Sequence, residues 1–257
     1  MKTTLNRLGL FAGFFTGAVA AVLVSAMLIS TGCQSSNQTA NMTPGAGVMP
    51  AVQTKESQSA MTPAQALDEL KAGNARFVAG KPLHRDFPAQ VKATAPGQYP
   101  FAVVLSCLDS RQPIEIVLDQ GIGDIFSARV AGNVLNDDIL GSMEFAGAAV
   151  GVKLIAVIGH SNCGAIKGAI DNVQLGSLTG LLDKIKPAEA AVPDDGQPRN
   201  SKNDDFVQKV AEANVRSTMQ QIRERSPILR EMIDKGQIAL VGGMYDLETG
   251  KVTFFPN

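Results

Sequence analysis

The sequence predicts an α/β domain with a mostly parallel central sheet of about four or five strands, flanked by helices and preceded by an extended N-terminal helical arm. Two observations support this fold class. Short, continuously apolar runs recur along the chain, and amphipathic helical patterns separate them. The length of 257 residues fits one domain of this class together with additional N-terminal segments.

Four segments are predicted to form strands. Apolar and β-branched residues run through most of their positions, without the polar alternation of a half-exposed strand. Such runs are typical of strands that are buried on both faces of a parallel sheet. In chain order, the segments are residues 101–106, 124–130, 153–159 and 237–242.

Helices are predicted before and between these strands, at residues 62–80, 137–150 and 205–235. The first should begin with Thr62 as its N-cap and Pro63 in the first helical position. The third should break at Ser226 and Pro227, because proline cannot continue a helix from the preceding turn. Residues 187–204 are rich in proline and aspartate, and we expect them to form a surface loop.

Residues 1–33 are predicted to be an export signal. Lys2 and Arg7 precede an uncharged, largely apolar stretch at residues 8–29, and small residues follow up to Cys33. This layout resembles a bacterial lipoprotein signal, which implies a periplasmic protein tethered to the membrane through lipid on Cys33. An uncleaved membrane anchor and simple secretion are the alternatives. Each of these places the folded domain outside the cytoplasm.

A flexible linker is predicted at residues 34–60, and the globular domain at residues 61–257. The linker consists mainly of small and polar residues, and its only charges are Lys55 and Glu56. Such a segment has too little apolar surface to offset the entropy that ordering it would cost.

Composition excludes two classes of protein. The 23 lysines and arginines nearly balance the 24 aspartates and glutamates, and no basic cluster stands out, so nucleic acid is not an expected partner. Three cysteines are too few for a disulfide scaffold, and each therefore needs an explanation of its own.

A metal-ligating pattern follows two of the predicted strands. Cys107 comes directly after the strand at 101–106, and His160 and Cys163 follow the strand at 153–159. The carboxyl ends of parallel strands meet at one edge of a sheet, so we expect the three side chains to converge. Two thiolates and one imidazole form a donor set that Zn²⁺ prefers, and the sequence predicts one zinc ion per subunit.

Asp109 and Arg111 stand beside this pattern. Asp109 could be the fourth zinc ligand or could lie next to the metal, held ionised by the planar guanidinium of Arg111. Three protein ligands with an exchangeable fourth position are typical of catalytic zinc. The alternatives are a permanently closed structural zinc site, or two cysteines that are merely buried or joined in a disulfide.

These residues resemble those of the β-class carbonic anhydrases. The most specific stretches are residues 107–111 and 160–163, and the resemblance covers nearly all of residues 61–257. Both halves of the metal motif, in this order after two strands, make a strong signal. Supporting stretches are residues 70–77, 131–134, 226–229 and 245–250.

The resemblance implies a zinc enzyme that reversibly hydrates CO₂ to bicarbonate and a proton through a zinc-bound hydroxide. Its zinc ligands would be Cys107, His160 and Cys163, and Asp109 with Arg111 would form the catalytic dyad. It also implies a homodimer or homotetramer in which the first helix embraces a partner. Two thiolates donate more charge to zinc than imidazoles do, so we expect activity to favour alkaline pH.

The sequence leaves open the type of site, the substrate and whether the protein is catalytic. Family members that close their site at low pH resemble one another in a bicarbonate pocket that uses a tryptophan, and this chain has none, which favours the open, water-bound type. The same zinc chemistry would also serve a hydrolase of CS₂ or COS. A non-catalytic zinc-binding envelope protein is the third hypothesis.

Overall fold

A five-stranded sheet organises residues 51–256, which are the residues that the structure, a computed structural model, describes. Four strands are parallel, and β5 pairs antiparallel with β4, in the spatial order β2-β1-β3-β4-β5. The predicted α/β fold class is therefore confirmed. The strands are β1 (Ala102–Ser106), β2 (Ile125–Arg129), β3 (Leu154–His160), β4 (Ala239–Tyr245) and β5 (Val252–Phe254).

Strands β1 and β3 lie side by side at the centre of the sheet, and every residue in both is buried. This burial explains their continuously apolar sequences. Strand β2 is only partly buried because it lies at one edge of the sheet. Within the β1–β3 ladder Ser106 is opposite Ile158, so the two strands end at the same edge of the sheet.

Ten helices accompany the sheet in the described part of the chain. They are α1 (Lys55–Ala60), α2 (Pro63–Val78), α3 (Phe87–Thr94), α4 (Ile114–Val117), α5 (Asp137–Glu144), α6 (Gly164–Ile170), α7 (Gly176–Leu182), α8 (Lys186–Ala191), α9 (Asp204–Arg225) and α10 (Pro227–Asp234).

The helices build two hydrophobic clusters, one on each face of the sheet. On one face, apolar residues of α2 and α4 pack against alternate residues of β1 and β3, such as Val104 and Ala156. On the other face, residues of α5, α6, α7, α9 and α10 pack against the intervening positions, such as Leu105 and Val157. The alternation follows from the two-residue period of a strand.

The first predicted helix is confirmed as α2. The Thr62 hydroxyl accepts a hydrogen bond from the Gln65 amide, and Pro63 occupies the first turn. Ala66 and Leu70 are completely buried against the chain's own sheet. These two residues of its apolar face are thus covered within one chain, whereas Val78 at its end is exposed.

The linker prediction is wrong for its last residues. Lys55–Ala60 form helix α1, which begins at a capping box between Thr54 and Ser57. Gln58 is buried, and its amide donates to the Pro100 carbonyl over 2.7 Å. The folded domain therefore begins before Met61. The polar composition of this segment does not indicate a helix. Both the capping box at its start and the Gln58 hydrogen bond that joins it to the domain are made by polar side chains.

The remainder of the N-terminal predictions lies outside the described residues. This applies to the export signal at 1–33, to Cys33 within it, and to residues 34–50 of the linker. Within residues 51–256, no helix combines the length and the apolar character that crossing a membrane requires.

Two other predictions of secondary structure, one of a helix and one of a loop, need correction. The predicted helix at 137–150 becomes π-helical over Phe145–Val150 after α5 ends. The expected loop at 187–204 overlaps α8, because Pro187 stands in a first helical turn, where proline is tolerated, and Ala188 is buried. The predicted break at Ser226 is confirmed, and its hydroxyl caps α10 by accepting from the Leu229 amide.

Asp119 forms a buried ion-pair network at the end of α2. Its carboxylate pairs with Arg85 and accepts from Arg76 Nε over 2.5 Å and from the Leu83 amide over 3.2 Å. The Asp119 side chain is only 2% exposed. Burial alone would raise its pKa, but the two guanidinium groups and the amide outweigh burial and lower it.

Replacing Asp119 by asparagine should therefore lower the free energy of unfolding by about 3 kcal/mol at pH 7, because two arginines lose their buried counter-charge. The difference in unfolding free energy should be complete above about pH 3.9, the pKa of Asp119 in the unfolded chain. It should vanish as the pH falls through the lowered pKa of Asp119 in the folded protein. Urea unfolding of both proteins across this pH range measures the difference. The exposed Asp68→Asn is the control, and equal stability of wild type and Asp119→Asn at pH 7 would contradict the prediction.

Candidate metal centre

Three side chains converge where β1 and β3 end. Cys107 directly follows β1, His160 is the last residue of β3, and Cys163 precedes α6. One ligand atom from each residue lies within 4.8 Å of the other two, and all three residues are buried. The juxtaposition expected from the sequence is therefore present in the structure.

The spacing of the donor atoms fits a tetrahedral metal. The two Sγ atoms of Cys107 and Cys163 lie 4.0 Å apart. A disulfide needs about 2.05 Å, whereas two Zn–S bonds of about 2.3 Å place their sulfurs about 3.8 Å apart in a tetrahedral site. Among the residues described, Nε2 of His160 is buried without a hydrogen-bond partner, as a metal ligand would be.

A backbone carbonyl group fixes the tautomer of His160. Its Nδ1 lies 2.8 Å from the Ser161 carbonyl oxygen, which can only accept, so Nδ1 carries the proton and Nε2 keeps its lone pair. Ser161 is itself fixed at two points. Its amide donates to the Tyr245 carbonyl, and its hydroxyl accepts from the Leu247 amide.

The two thiols carry unequal proton affinities. The pKa of Cys107 is lowered to about 4, chiefly because the Cys163 thiol hydrogen-bonds to its sulfur; burial opposes this, and His160 and the Gly132 amide assist it. The pKa of Cys163 is raised because it hydrogen-bonds to Cys107 and is buried. The protein alone thus favours one thiolate in this pair. A second thiolate at this distance needs a cation between them.

Asp109 and Arg111 form a forked ion pair beside these donors. Oδ1 of Asp109 accepts from the amide and from Nε of Arg111, both over 2.9 Å, and Oδ2 accepts from Nη2 over 2.7 Å. These hydrogen bonds hold the pKa of Asp109 far below its usual range. Oδ2 also lies 3.8 Å from Nε2 of His160, so the carboxylate borders the three donors.

Three residues make hydrogen bonds around the site that were not predicted. The Gly132 amide donates to the Cys107 sulfur over 3.3 Å. Arg129 donates to the carbonyl of Cys107 over 3.1 Å and to that of Asp109 over 2.6 Å. The Tyr245 hydroxyl donates to the Arg111 carbonyl over 3.3 Å. The sequence indicated residues 131–134 and 245–250 only as parts of the family resemblance, and it assigned no role to Gly132 or Tyr245.

The chain is similar in sequence and structure to known carbonic anhydrases. A family model described as carbonic anhydrase matches residues 102–252. Carbonic anhydrase 2 of Mycobacterium tuberculosis is 38% identical over 195 residues, which cover 74% of this chain and 91% of that protein.

Two solved structures share the fold. The β-carbonic anhydrase CafA of Aspergillus fumigatus is 26% identical, with a TM-score of 0.59 over 75% of this chain and 89% of that one. A structure from a study of two tetrameric β-carbonic anhydrases of Sordaria macrospora is 24% identical, with a TM-score of 0.58 over 76% and 96%. This chain belongs to the β-carbonic anhydrase family.

If the three donors hold one metal ion, purified protein should contain one zinc per chain. Cys163→Ser should reduce the zinc content at least tenfold, because only two protein ligands remain. His84→Ala is the control, since it removes the only other histidine, which is exposed. Elemental analysis after gentle purification measures the metal. Zinc retained equally by wild type and Cys163→Ser would contradict the prediction.

Proposed function

We propose that this chain catalyses the reversible hydration of CO₂ to bicarbonate and a proton, with one zinc ion per subunit. The observation that carries the proposal is a single cluster. Three metal donors lie within 4.8 Å of one another, and a carboxylate held ionised by Arg111 borders them. Membership of the β-carbonic anhydrase family supports the same reaction.

Cys107, His160 and Cys163 would hold the zinc ion. When bound, zinc lowers the pKa of a water molecule from 15.7 to about 7 and so supplies a nucleophile near neutral pH. The two cysteines donate more charge than imidazoles would, and we therefore expect activity to favour alkaline pH. Three protein ligands would leave a further coordination position open to solvent, as is typical of catalytic zinc.

Asp109 would orient the attacking water molecule. An ionised carboxylate can only accept hydrogen bonds, so Asp109 fixes the direction of the water O–H and leaves an oxygen lone pair facing CO₂. Arg111 performs two tasks in this arrangement. It keeps Asp109 ionised, and its fork restrains both carboxylate oxygens, which favours the open site over one closed by an Asp109–zinc bond.

Asp109→Asn tests this assignment. The amide has the shape of the carboxylate but presents a donor as well as an acceptor, so kcat/KM for CO₂ hydration should fall about 100-fold or more. Zinc content should stay at the wild-type level. Stopped-flow hydration with a pH indicator measures the rate, and Asp183→Asn, on the surface after α7, is the matched control.

Two other results, one of them from turnover of CS₂ and COS on the same preparation, would favour the alternative functions. Equal, negligible hydration by wild type and Asp109→Asn would indicate a non-catalytic zinc-binding envelope protein. Faster turnover of CS₂ or COS than of CO₂ by the same preparation would indicate a hydrolase. Either result would overturn the proposed reaction.

We further propose that the chain is exported to the periplasm and tethered to the membrane by lipid on Cys33. The support is the order of charged, apolar and small residues before Cys33. Fractionation of cells should place the wild-type protein with the membranes. Cys33→Ser should move it to another fraction or leave it unprocessed, whereas Cys163→Ser should stay with the membranes. A Cys33→Ser protein with both the membrane distribution and the processed size of wild type would contradict the lipid anchor.

A homodimer or homotetramer is the assembly that we propose. Strand β2 has a neighbour on only one side within the described chain, so its outer edge can pair with another copy. Large apolar side chains are exposed in segments that contact β2, namely helix α4, Phe145 and the loop whose Cys107 and Asp109 carbonyls accept from Arg129 of β2. They include Leu108, Ile116 and Phe145, which lies against Phe126 of β2. Burying such side chains favours association.

A further inference from the structure

A buried asparagine in the long helix α9 has no role in the reaction described above. Asn214 is 2% exposed, and its side-chain amide donates to the Gly132 carbonyl over 2.7 Å. The two residues are 82 positions apart in the sequence. An asparagine in an apolar core is costly unless it is hydrogen-bonded, so a leucine would serve packing alone better.

Gly132, which accepts the hydrogen bond of Asn214, also hydrogen-bonds to one of the proposed metal ligands. Gly132 donates its amide to the Cys107 sulfur over 3.3 Å, and its carbonyl is held by Asn214. Its φ of +65° lies in the left-handed region. A Cβ on this residue would lie 2.8 Å from Cδ1 of Ile185, so the Ile185 side chain would have to move to admit a larger residue.

A glycine in this position needs an external restraint. Glycine samples more backbone conformations than other residues, and a rotation of its φ would turn the amide away from the sulfur. Asn214 fixes the carbonyl of the same residue from a rigid helix of 22 residues. Nearby, Thr218 donates to the Asn133 carbonyl over 3.3 Å, which secures the following residue of the turn.

We infer that Asn214 is a positioning residue that holds Gly132 so that its amide hydrogen-bonds to Cys107 and reduces the charge which that sulfur donates to the metal. The inference rests on the proposed zinc site. A hydrogen bond to a thiolate ligand withdraws electron density from the sulfur and tunes the bound metal. Asn214 thus acts through Gly132 and touches neither metal nor substrate.

Cobalt substitution tests the inference by spectroscopy. Full-length protein loaded with Co²⁺ in place of zinc has thiolate-to-metal charge-transfer bands in the near ultraviolet, and their energy reports the charge on the sulfurs. In Asn214→Leu these bands should move to lower energy, because Cys107 loses its hydrogen bond. Zinc should also pass to a chelator about 10-fold faster than from wild type, because a Cys107 thiolate without this hydrogen bond is less well oriented and takes up a proton more readily.

Asn74→Leu is the matched control. Asn74 is an equally buried asparagine that donates to the carbonyls of Val117 and Gly250, away from the metal donors. Its replacement should destabilise the protein but leave the cobalt bands and the chelation rate at their wild-type values. A general loosening of the core would change both variants alike and would overturn the inference.

Asn214→Ala provides a second variant if leucine prevents folding, since it removes the donor without adding volume. Folded Asn214 variants with wild-type bands and chelation rate would overturn the positioning role. Failure of both Asn214 variants to fold, while Asn74→Leu folds, would assign Asn214 to the core and also overturn it. Wild-type protein that binds neither cobalt nor zinc would instead refute the proposed zinc site, and this inference with it.

Discussion

The parallel pairing of β1 with β3 is the constraint on which the site depends. Their ladder ends both strands at one edge of the sheet, so Cys107 and His160 leave the sheet side by side. A turn of two residues then returns Cys163 to the same place before α6 begins. Both strands are buried on both faces, and the donors therefore lie at the ends of well-packed elements.

Hydrogen bonds around these donors and Asp109 determine which atoms carry a lone pair or a charge. The Ser161 carbonyl selects the free nitrogen of His160, the Gly132 amide supports the Cys107 sulfur, and Arg111 keeps Asp109 ionised. Each of these contacts places a lone pair or a charge where a divalent cation can use it. Without such a cation, the buried Nε2 of His160 would have no partner among the described residues, which is unfavourable.

The parts that the sequence predicts are those with a local or periodic signal. Apolar runs identify the four parallel strands, Thr62 and Pro63 mark the start of α2, and the spacing of His160 and Cys163 indicates a metal motif. Helices α6 and α7 have only seven residues each and contain glycines, so their helical pattern is weak. The three-residue β5 is too short for its sequence to distinguish it from a loop.

The contacts behind the site escape prediction for a different reason. Gly132 meets Cys107 across 25 positions, and Asn214 meets Gly132 across 82, so no local pattern links them. Their pairing depends on the turn at 131–133 being placed between β1 and α9, which only the folded chain specifies. Polar residues in a core are the available signal, and a sequence alone does not say which asparagines are buried.

The central claim is that two sulfurs and one imidazole nitrogen bind a single zinc ion that also holds one oxygen ligand. X-ray absorption at the zinc edge of the purified protein tests this directly. We expect two sulfur neighbours at about 2.3 Å and two nitrogen or oxygen neighbours at about 2.0–2.1 Å. A spectrum with fewer than two sulfurs, or with four, would contradict it.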